Sequence, residues 1–260
     1  QTANSQLNFS ASQTMTIAQG LYMGVDINKE TIALITYMRT DSITLSKDSI
    51  DILRENIQKD YGEKYLPKDP VEYKSKKKNA QEAHEAIRPT NFENKTVNME
   101  NDQVRLYNLI WSRTISSQMS EANLERTILK IASDKFDNLF TCKGEIIKFD
   151  GFLKVYSFQN DDEEKNILPK VKVGEKITLG ELIDEQHFAS PPPRYSEASL
   201  VKKMEELGIG RPSTYASIIS VISNRGYADI NNKRFFPTDR GKLLSAFLEK
   251  LFTKYVDYDF

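Results

Sequence analysis

The chain has 260 residues, 39% hydrophobic and 28% charged, enough for one large domain or two to three small ones and too apolar for global disorder. Its 36 lysines and arginines are matched by 37 aspartates and glutamates, which excludes a globally polycationic nucleic-acid binder but not local basic surfaces. A single cysteine, Cys142, excludes an intrachain disulfide framework and suits a reducing cytoplasm, and no apolar run approaches transmembrane length.

No signal peptide opens the chain; beginning QTANSQ without a methionine, it reads as an excised fragment. Thr14 to Met23 is a short helix candidate, followed by polar VDINKETIA and then the apolar start of LITYMRTDS. Leu34, Ile35, Thr36 and Tyr37 favour an extended backbone, so Tyr37, Arg39 and Asp41 are expected along one face of a strand. That face reads either as a solvated edge or as a phenol nucleophile with its electrostatic partner alongside. Ser46 is the expected cap of a helix with an Ile50, Leu53, Ile57 stripe that stops at Gly62. YLPKDPVEYKSKKKN then reads as a loop carrying Lys74, Lys76, Lys77 and Lys78, either simply solvated or in contact with phosphate. Leu106 to Met119 is an amphipathic helix with Leu109, Ile110 and Ile115 inward.

From Thr127 to Phe188 short apolar runs are punctuated by Gly144, Gly151, Gly174 and Gly180, which predicts an all-β segment with the acidic DDEEK as an exposed turn. Pro191 to Pro193 form a stiff boundary. Beyond it, Ser196 caps a helix with Leu200, Val201, Met204 and Leu207 on one face. Pro212 suits the first turn of the next helix, which carries Ile218, Ile219 and Ile222. A hairpin around Asn231 and Asn232 and a helix from about Asp239 complete the order of a winged helix-turn-helix.

Two further stretches invite chemistry. In EAHEAIRPT, helical spacing places His84 and Arg88 on one face, with Pro89 turning Arg88 out at the helix end. The pair reads as structural or as phosphate-binding; a zinc site fails because HEAIR lacks the second histidine of H-E-x-x-H. In GIGRPSTYA, Gly-x-Gly leads into a helix start with Arg211, Ser213, Thr214 and Tyr215. Those side chains offer phosphate donors and a ring for stacking on an unpaired base. No G-x-x-x-x-G-K-[ST] is present, so nucleotide hydrolysis is not expected, and no carboxylates stand at metal-ligand spacing.

Taken in this order, TYMRTDS, EAHEAIRPT and PPPRYSEASLVKKMEELGIGRPSTYASIISVISNRGY resemble the bacterial type IA DNA topoisomerases over nearly the whole chain. The resemblance implies an α+β multidomain fold. A helical gate domain would span residues 1–121, a β-rich hinge or arch domain 122–190, and part of a helical, winged-helix-like DNA-binding domain 191–260. It implies an isomerase that breaks one DNA strand through a 5′-phosphotyrosine link, passes another strand and reseals, relaxing negative supercoils without ATP. Tyr37 matches the attacking tyrosine, Arg39 the arginine that steadies the scissile phosphate, and His84 the active-site histidine. Arg211, Thr214 and Tyr215 match positions that hold single-stranded DNA, with Arg225 a further expected contact; Ser213 and Arg88 are expected to contact DNA on the reading of their own stretches.

The chemistry agrees with that assignment. A free tyrosine, with pKa about 10, is a poor nucleophile at neutral pH unless a cation stabilises its phenolate. Exchanging one phosphate ester for another nearly conserves bond energy, so resealing needs no nucleotide. The family holds Mg²⁺ on strand-end carboxylates of a domain preceding this region. No metal ligand is therefore expected in these 260 residues, and the fragment alone is expected to be inactive. The implied partner is DNA, chiefly single-stranded, met by a monomer in the bacterial cytoplasm at the nucleoid and away from membrane. VDINKETIAL looks longer than in some members. The alternatives are a nonenzymatic winged-helix module that binds single-stranded DNA, and a tyrosine recombinase or relaxase, whose arginine and histidine constellations are not found.

Overall fold

The computed structural model describes residues 1–27, 30–73, 84–94, 99–133, 136–156 and 168–258. The lysine cluster at 74–78 and the DDEEK turn at 161–165 lie outside the described residues. The chain is α+β and falls into two compact units, residues 1–119 with 193–260, and residues 120–192.

The larger unit begins with α1 (Thr2–Leu7) and α2 (Ala11–Met23), the latter longer at its start than the apolar pattern predicts. Ser10 extends α2: its side chain accepts from the Gln13 amide, one of the orphan donors of a first helical turn. The polar segment after α2 forms a short hairpin, β1 (Val25–Ile27) paired antiparallel with β2 (Glu30–Ile32). Then come α3 (Lys47–Tyr61), capped by Ser46 and ended at Gly62 with φ 90°, and α4 (Asn101–Ser117). Leu53 and Ile57 are fully buried from the α3 stripe, whereas Ile50 is half-buried. On α4 the deeply buried side chains are Leu106, Tyr107, Thr114 and Ile115; Leu109 and Ile110 pack against that core from its margin.

The core of this unit gathers Phe9, Ala18, Leu21, Leu34, Ile35, Met38, Leu106 and Tyr107. Leu34 lies at its centre: its amide donates to the Leu21 carbonyl, and its carbonyl accepts from the Thr90 amide. The expected Tyr37 strand reduces to a single bridge, Ile35 with Pro89. After that bridge the chain bends at Thr36, so Tyr37, Arg39 and Asp41 do not lie along a strand face. The physical reason is competition: Thr36 donates its amide to the Arg88 carbonyl and its hydroxyl to the Ala86 carbonyl, and that hydroxyl accepts from the Arg88 amide. The same bonds replace the helix expected at His84 to Arg88, where no described residue is helical. The Ala86 and Arg88 amides bond to Thr44 and Thr36 instead of to carbonyls one turn earlier.

The C-terminal part of the unit holds α5 (Glu197–Glu206), α6 (Tyr215–Asn224), β5 (Ala228–Asn231), β6 (Arg234–Pro237) and α7 (Asp239–Leu251). Ser196 caps α5 as expected, and Thr238 caps α7. Helix α6 starts three residues beyond Pro212, which sits in the turn before it. The hairpin turns at Asn232 and Lys233, both at positive φ (47° and 61°), one residue later than the Asn-Asn pair suggests. A pair of left-handed residues suits the right-handed twist of a hairpin. Met204, Ile219, Ala228 and Phe235 form the small core of this region. Helix α2 packs against both α4 and α6, and the α1 region bonds to α5: the Ala198 amide donates to the Asn4 side chain at 3.1 Å.

Among its described residues the smaller unit has one long hairpin, β3 (Asn123–Ser133) paired antiparallel with β4 (Phe136–Phe149), followed by a 3₁₀ turn at Gly151–Lys154. Gly151 has φ 47°, and a Cβ there would strike the Ser120 and Glu121 carbonyls, so only glycine fits. The described residues 168–192 form no strand, so the all-β expectation holds for the first half of the segment and not for the second. Val173, Ile177, Leu179, Leu182 and Ile183 are exposed there.

Candidate active site and nucleic-acid interface

Two clusters carry the residues singled out by the sequence. The first surrounds Tyr37. Met38 next to it is buried in the core, which anchors the backbone, while Tyr37 itself is half-buried and Arg39 is exposed. The Tyr37 ring lies between two others. His84 is tilted against it with centroids 4.9 Å apart, and Tyr22 of α2 meets it edge-on at 5.4 Å and 70°. Arg39 donates from Nη2 to the Gln19 side-chain oxygen at 3.4 Å. Gln19 and Tyr22 are three apart on α2 and so share a face, with Ala18 and Leu21 buried behind them.

The Thr36 hydroxyl is the clasp that brings His84 to this place. It fixes Ala86 and Arg88 from two directions, at 2.9 and 3.0 Å. Arg88 is turned inward: its guanidinium forms a two-pronged pair with Glu85, at 2.9 Å on each arm, and donates to the Pro89 carbonyl at 2.8 Å. It also lies 5.8 Å from the centre of the Phe92 ring. Glu85 thus already occupies two of the Arg88 guanidinium's donors.

The second cluster is the turn before α6. Arg211 Nη1 donates to the Gly210 carbonyl at 2.7 Å and to that of Gly208 at 3.3 Å. The Thr214 hydroxyl accepts from the Arg211 amide at 2.8 Å. Gly208 and Gly210, with φ 73° and 75°, make the reversals that put these carbonyls inside the turn. Arg211, Ser213 and Thr214 are exposed, Tyr215 is half-buried on the Met204–Ile219 core, and Arg225 is exposed at the far end of α6. The structure thus brings the Tyr37 and His84 rings together, with Arg39, two residues on, bonded to Gln19 on the α2 face that carries Tyr22, and separately gathers Arg211, Ser213, Thr214 and Tyr215 in one turn.

Sequence reasoning did not single out Tyr22 or Gln19. Their signal was available: a tyrosine and a glutamine one turn apart at the end of the helix that precedes the TYMRTDS stretch. Among the described residues no three of His, Cys, Asp or Glu converge. Among the described residues no helix is long and apolar enough to cross a membrane.

A half-exposed tyrosine thus lies against a histidine ring, with an arginine two residues on, in a fold that also carries two helices joined by a turn and followed by a hairpin. The family model described as DNA topoisomerase matches residues 1–260, and the chain belongs to that family, among its bacterial type IA members. It is 55% identical over 267 residues to DNA topoisomerase 1 of Rickettsia typhi and 46% identical over 271 residues to that of Xylella fastidiosa, covering all of this chain each time. It spans about a third of the length of these curated relatives (34% and 33%). Among solved structures, full-length topoisomerase I from Thermotoga maritima matches with a TM-score of 0.77 and 36% identity, over all of this chain and 42% of that one.

Proposed function

We propose that this chain is the tyrosine-bearing part of an enzyme that breaks one DNA strand, passes another through the gap and reseals it, relaxing negative supercoils without ATP. The observation that carries this reading is the Tyr37 ring held between Tyr22 and His84, with the exposed Arg39 guanidinium two residues on. The Tyr37 phenol oxygen attacks the scissile phosphorus. A bond from phosphorus to the tyrosine oxygen forms as the bond from phosphorus to the 3′-oxygen breaks. The phenol gives up its proton, and the departing 3′-oxygen gains one. The broken strand is left joined by its 5′-phosphate to Tyr37. Arg39 stabilises the phenolate and the charge on the five-coordinate phosphorus, and His84 orients the ring and donates to a phosphate oxygen. Resealing is the reverse exchange.

In the same reading, Arg211, Ser213, Thr214 and Arg225 hold the backbone of single-stranded DNA and Tyr215 stacks on a base. Residues 1–121 act as the gate, 122–190 as the arch and 191–260 as part of the DNA-binding domain. Bending of the arch lifts the gate with its bound DNA end. Mg²⁺ is held by carboxylates outside this chain, so the chain alone does not relax DNA. The enzyme works as a monomer in the bacterial cytoplasm, at the nucleoid.

The test is Tyr37→Phe in a polypeptide of the relatives' full length that carries this chain. The variant is expected to bind a single-stranded oligonucleotide normally and to form no covalent 5′-phosphotyrosyl adduct. An adduct that persists in it removes Tyr37 from the reaction and the proposal with it.

A further inference from the structure

The face of α2 beside the site is unassigned. Its inner side is fixed: Ala18 and Leu21 are buried, and the Leu21 carbonyl accepts from the Leu34 amide at 2.8 Å, three residues before Tyr37. From the same turn Tyr22 projects to the Tyr37 ring, 36% exposed, edge to face at 70°. His84 meets that ring as well, tilted at 51°. Tyr37 follows a bend and packs at the margin of the core, where the rings of Tyr22 and His84 flank it and help to set the direction of its phenol. An edge-on aromatic pair has a preferred geometry and resists rotation of either ring. Helix α2 is seated in the core through Ala18 and Leu21, so Tyr22 passes one restraint from the core to the nucleophile.

We infer that Tyr22 is a positioning residue for the strand-cleavage step, holding the Tyr37 ring in the direction from which its oxygen meets the scissile phosphorus. This deepens the function proposed above and rests on it. Tyr22 acts through its ring edge, so its hydroxyl is dispensable. Misdirection of a nucleophile by a fraction of an ångström lowers the rate of attack without changing ground-state binding. A stacking role on DNA would do the opposite, weakening binding and leaving the bound rate intact.

The test compares Tyr22→Phe, Tyr22→Ala and Tyr37→Phe in a polypeptide of the relatives' full length, using a single-stranded oligonucleotide. Two quantities are read: its dissociation constant and the rate of adduct formation at saturation. Tyr22→Phe is expected within about twofold of wild type in both. Tyr22→Ala is expected to slow adduct formation on the order of tenfold, with the dissociation constant unchanged. Tyr22 is partly exposed, so its truncation leaves the fold intact, and an unchanged dissociation constant confirms this. A wild-type adduct rate in Tyr22→Ala, or a loss confined to the dissociation constant, overturns the inference while a dead Tyr37→Phe leaves the function standing. A loss in Tyr22→Phe equal to that in Tyr22→Ala also overturns it, because the hydroxyl would then be the active part. An adduct formed by Tyr37→Phe overturns both.

Discussion

The Tyr37 cluster and the Arg211 turn are built by opposite means. Around Arg211 the hydrogen bonds span four residues or fewer, joining Arg211 to Gly208, Gly210, Thr214 and Tyr215. Around Tyr37 the partners come from far along the chain, with Tyr22 fifteen residues before it, His84 forty-seven after it, and Thr36 joined to Ala86 and Arg88 across fifty and fifty-two. The turn needs only its own sequence to form. The tyrosine site exists only when the core beneath it is assembled, so its geometry and the stability of the unit are one property.

That contrast is most severely tested at Leu34. It is fully buried and ties α2 to the Thr90 segment through its backbone. Leu34→Ala is expected to cost about 2–5 kcal/mol by urea unfolding, as for other large-to-small changes in a packed core. It should also disorder the Tyr37–His84 ring contact, seen as loss of their mutual NMR cross-peaks. A contact that survives so large a destabilisation would mean that the site is as local as the Arg211 turn.

Thr36→Val sharpens the comparison without removing volume. It deletes a donor to the Ala86 carbonyl and an acceptor for the Arg88 amide, both partly buried. The expected cost is about 2 kcal/mol, the sum of two groups left short of a partner. The larger effect should be on His84, whose segment loses its clasp. Adduct formation in the full-length context should fall even though neither Tyr37 nor His84 is altered. A variant that loses stability and keeps its adduct rate would separate the clasp from the site.

Tyr107 lies in the core behind the cluster, its hydroxyl donating to the Asn94 carbonyl at 2.7 Å. Burial raises its pKa from 10.0 to about 12. Between those values the unfolded chain has lost the proton and the folded chain has kept it, so the unfolded state binds fewer protons and stability falls as pH rises. Below pH 10 this contribution is fully present; it declines from about pH 10 to pH 12. Urea midpoints measured across that window should drop in the native chain and drop less in Tyr107→Phe, which itself costs about 1 kcal/mol at neutral pH for the unpaired Asn94 carbonyl.

The same division explains what could be read in advance. Caps at Ser46 and Ser196, the stop at Gly62 and the apolar faces of α3 and α5 are set by neighbours in sequence and stand where their residue types place them, and the hairpin after α6 is displaced by a single residue. The Leu34–Tyr37 segment and the His84–Arg88 segment have strand and helix patterns, yet each takes its backbone bonds from the other. Nothing within either stretch announces that exchange, because Thr36, which makes it, is an ordinary β-former when read alone. Tyr37, Arg39 and His84 stood out from their own stretches as one of two readings, and only the family resemblance chose between them. Tyr22, without a place in those motifs, became visible only when α2 was packed against them.

Thr214→Val is the smallest expected effect and the most direct check that the Arg211 turn is autonomous. Thr214 is exposed, and water replaces its hydroxyl in the bond to the Arg211 amide, so the cost should stay below about 1 kcal/mol. Single-stranded DNA binding should nonetheless weaken in the full-length context, since the hydroxyl and the Arg211 side chain it helps to seat would be lost to the phosphate. Thr36 and Thr214 share no hydrogen-bond partner, so the double variant should lose the sum of the two single stability costs to within about 0.5 kcal/mol. A larger coupling would mean that the turn before α6 feels the tyrosine cluster. The route available to it is the packing of α2 on α6, because α2 carries Tyr22 and Gln19 on one face and touches the helix that follows Thr214.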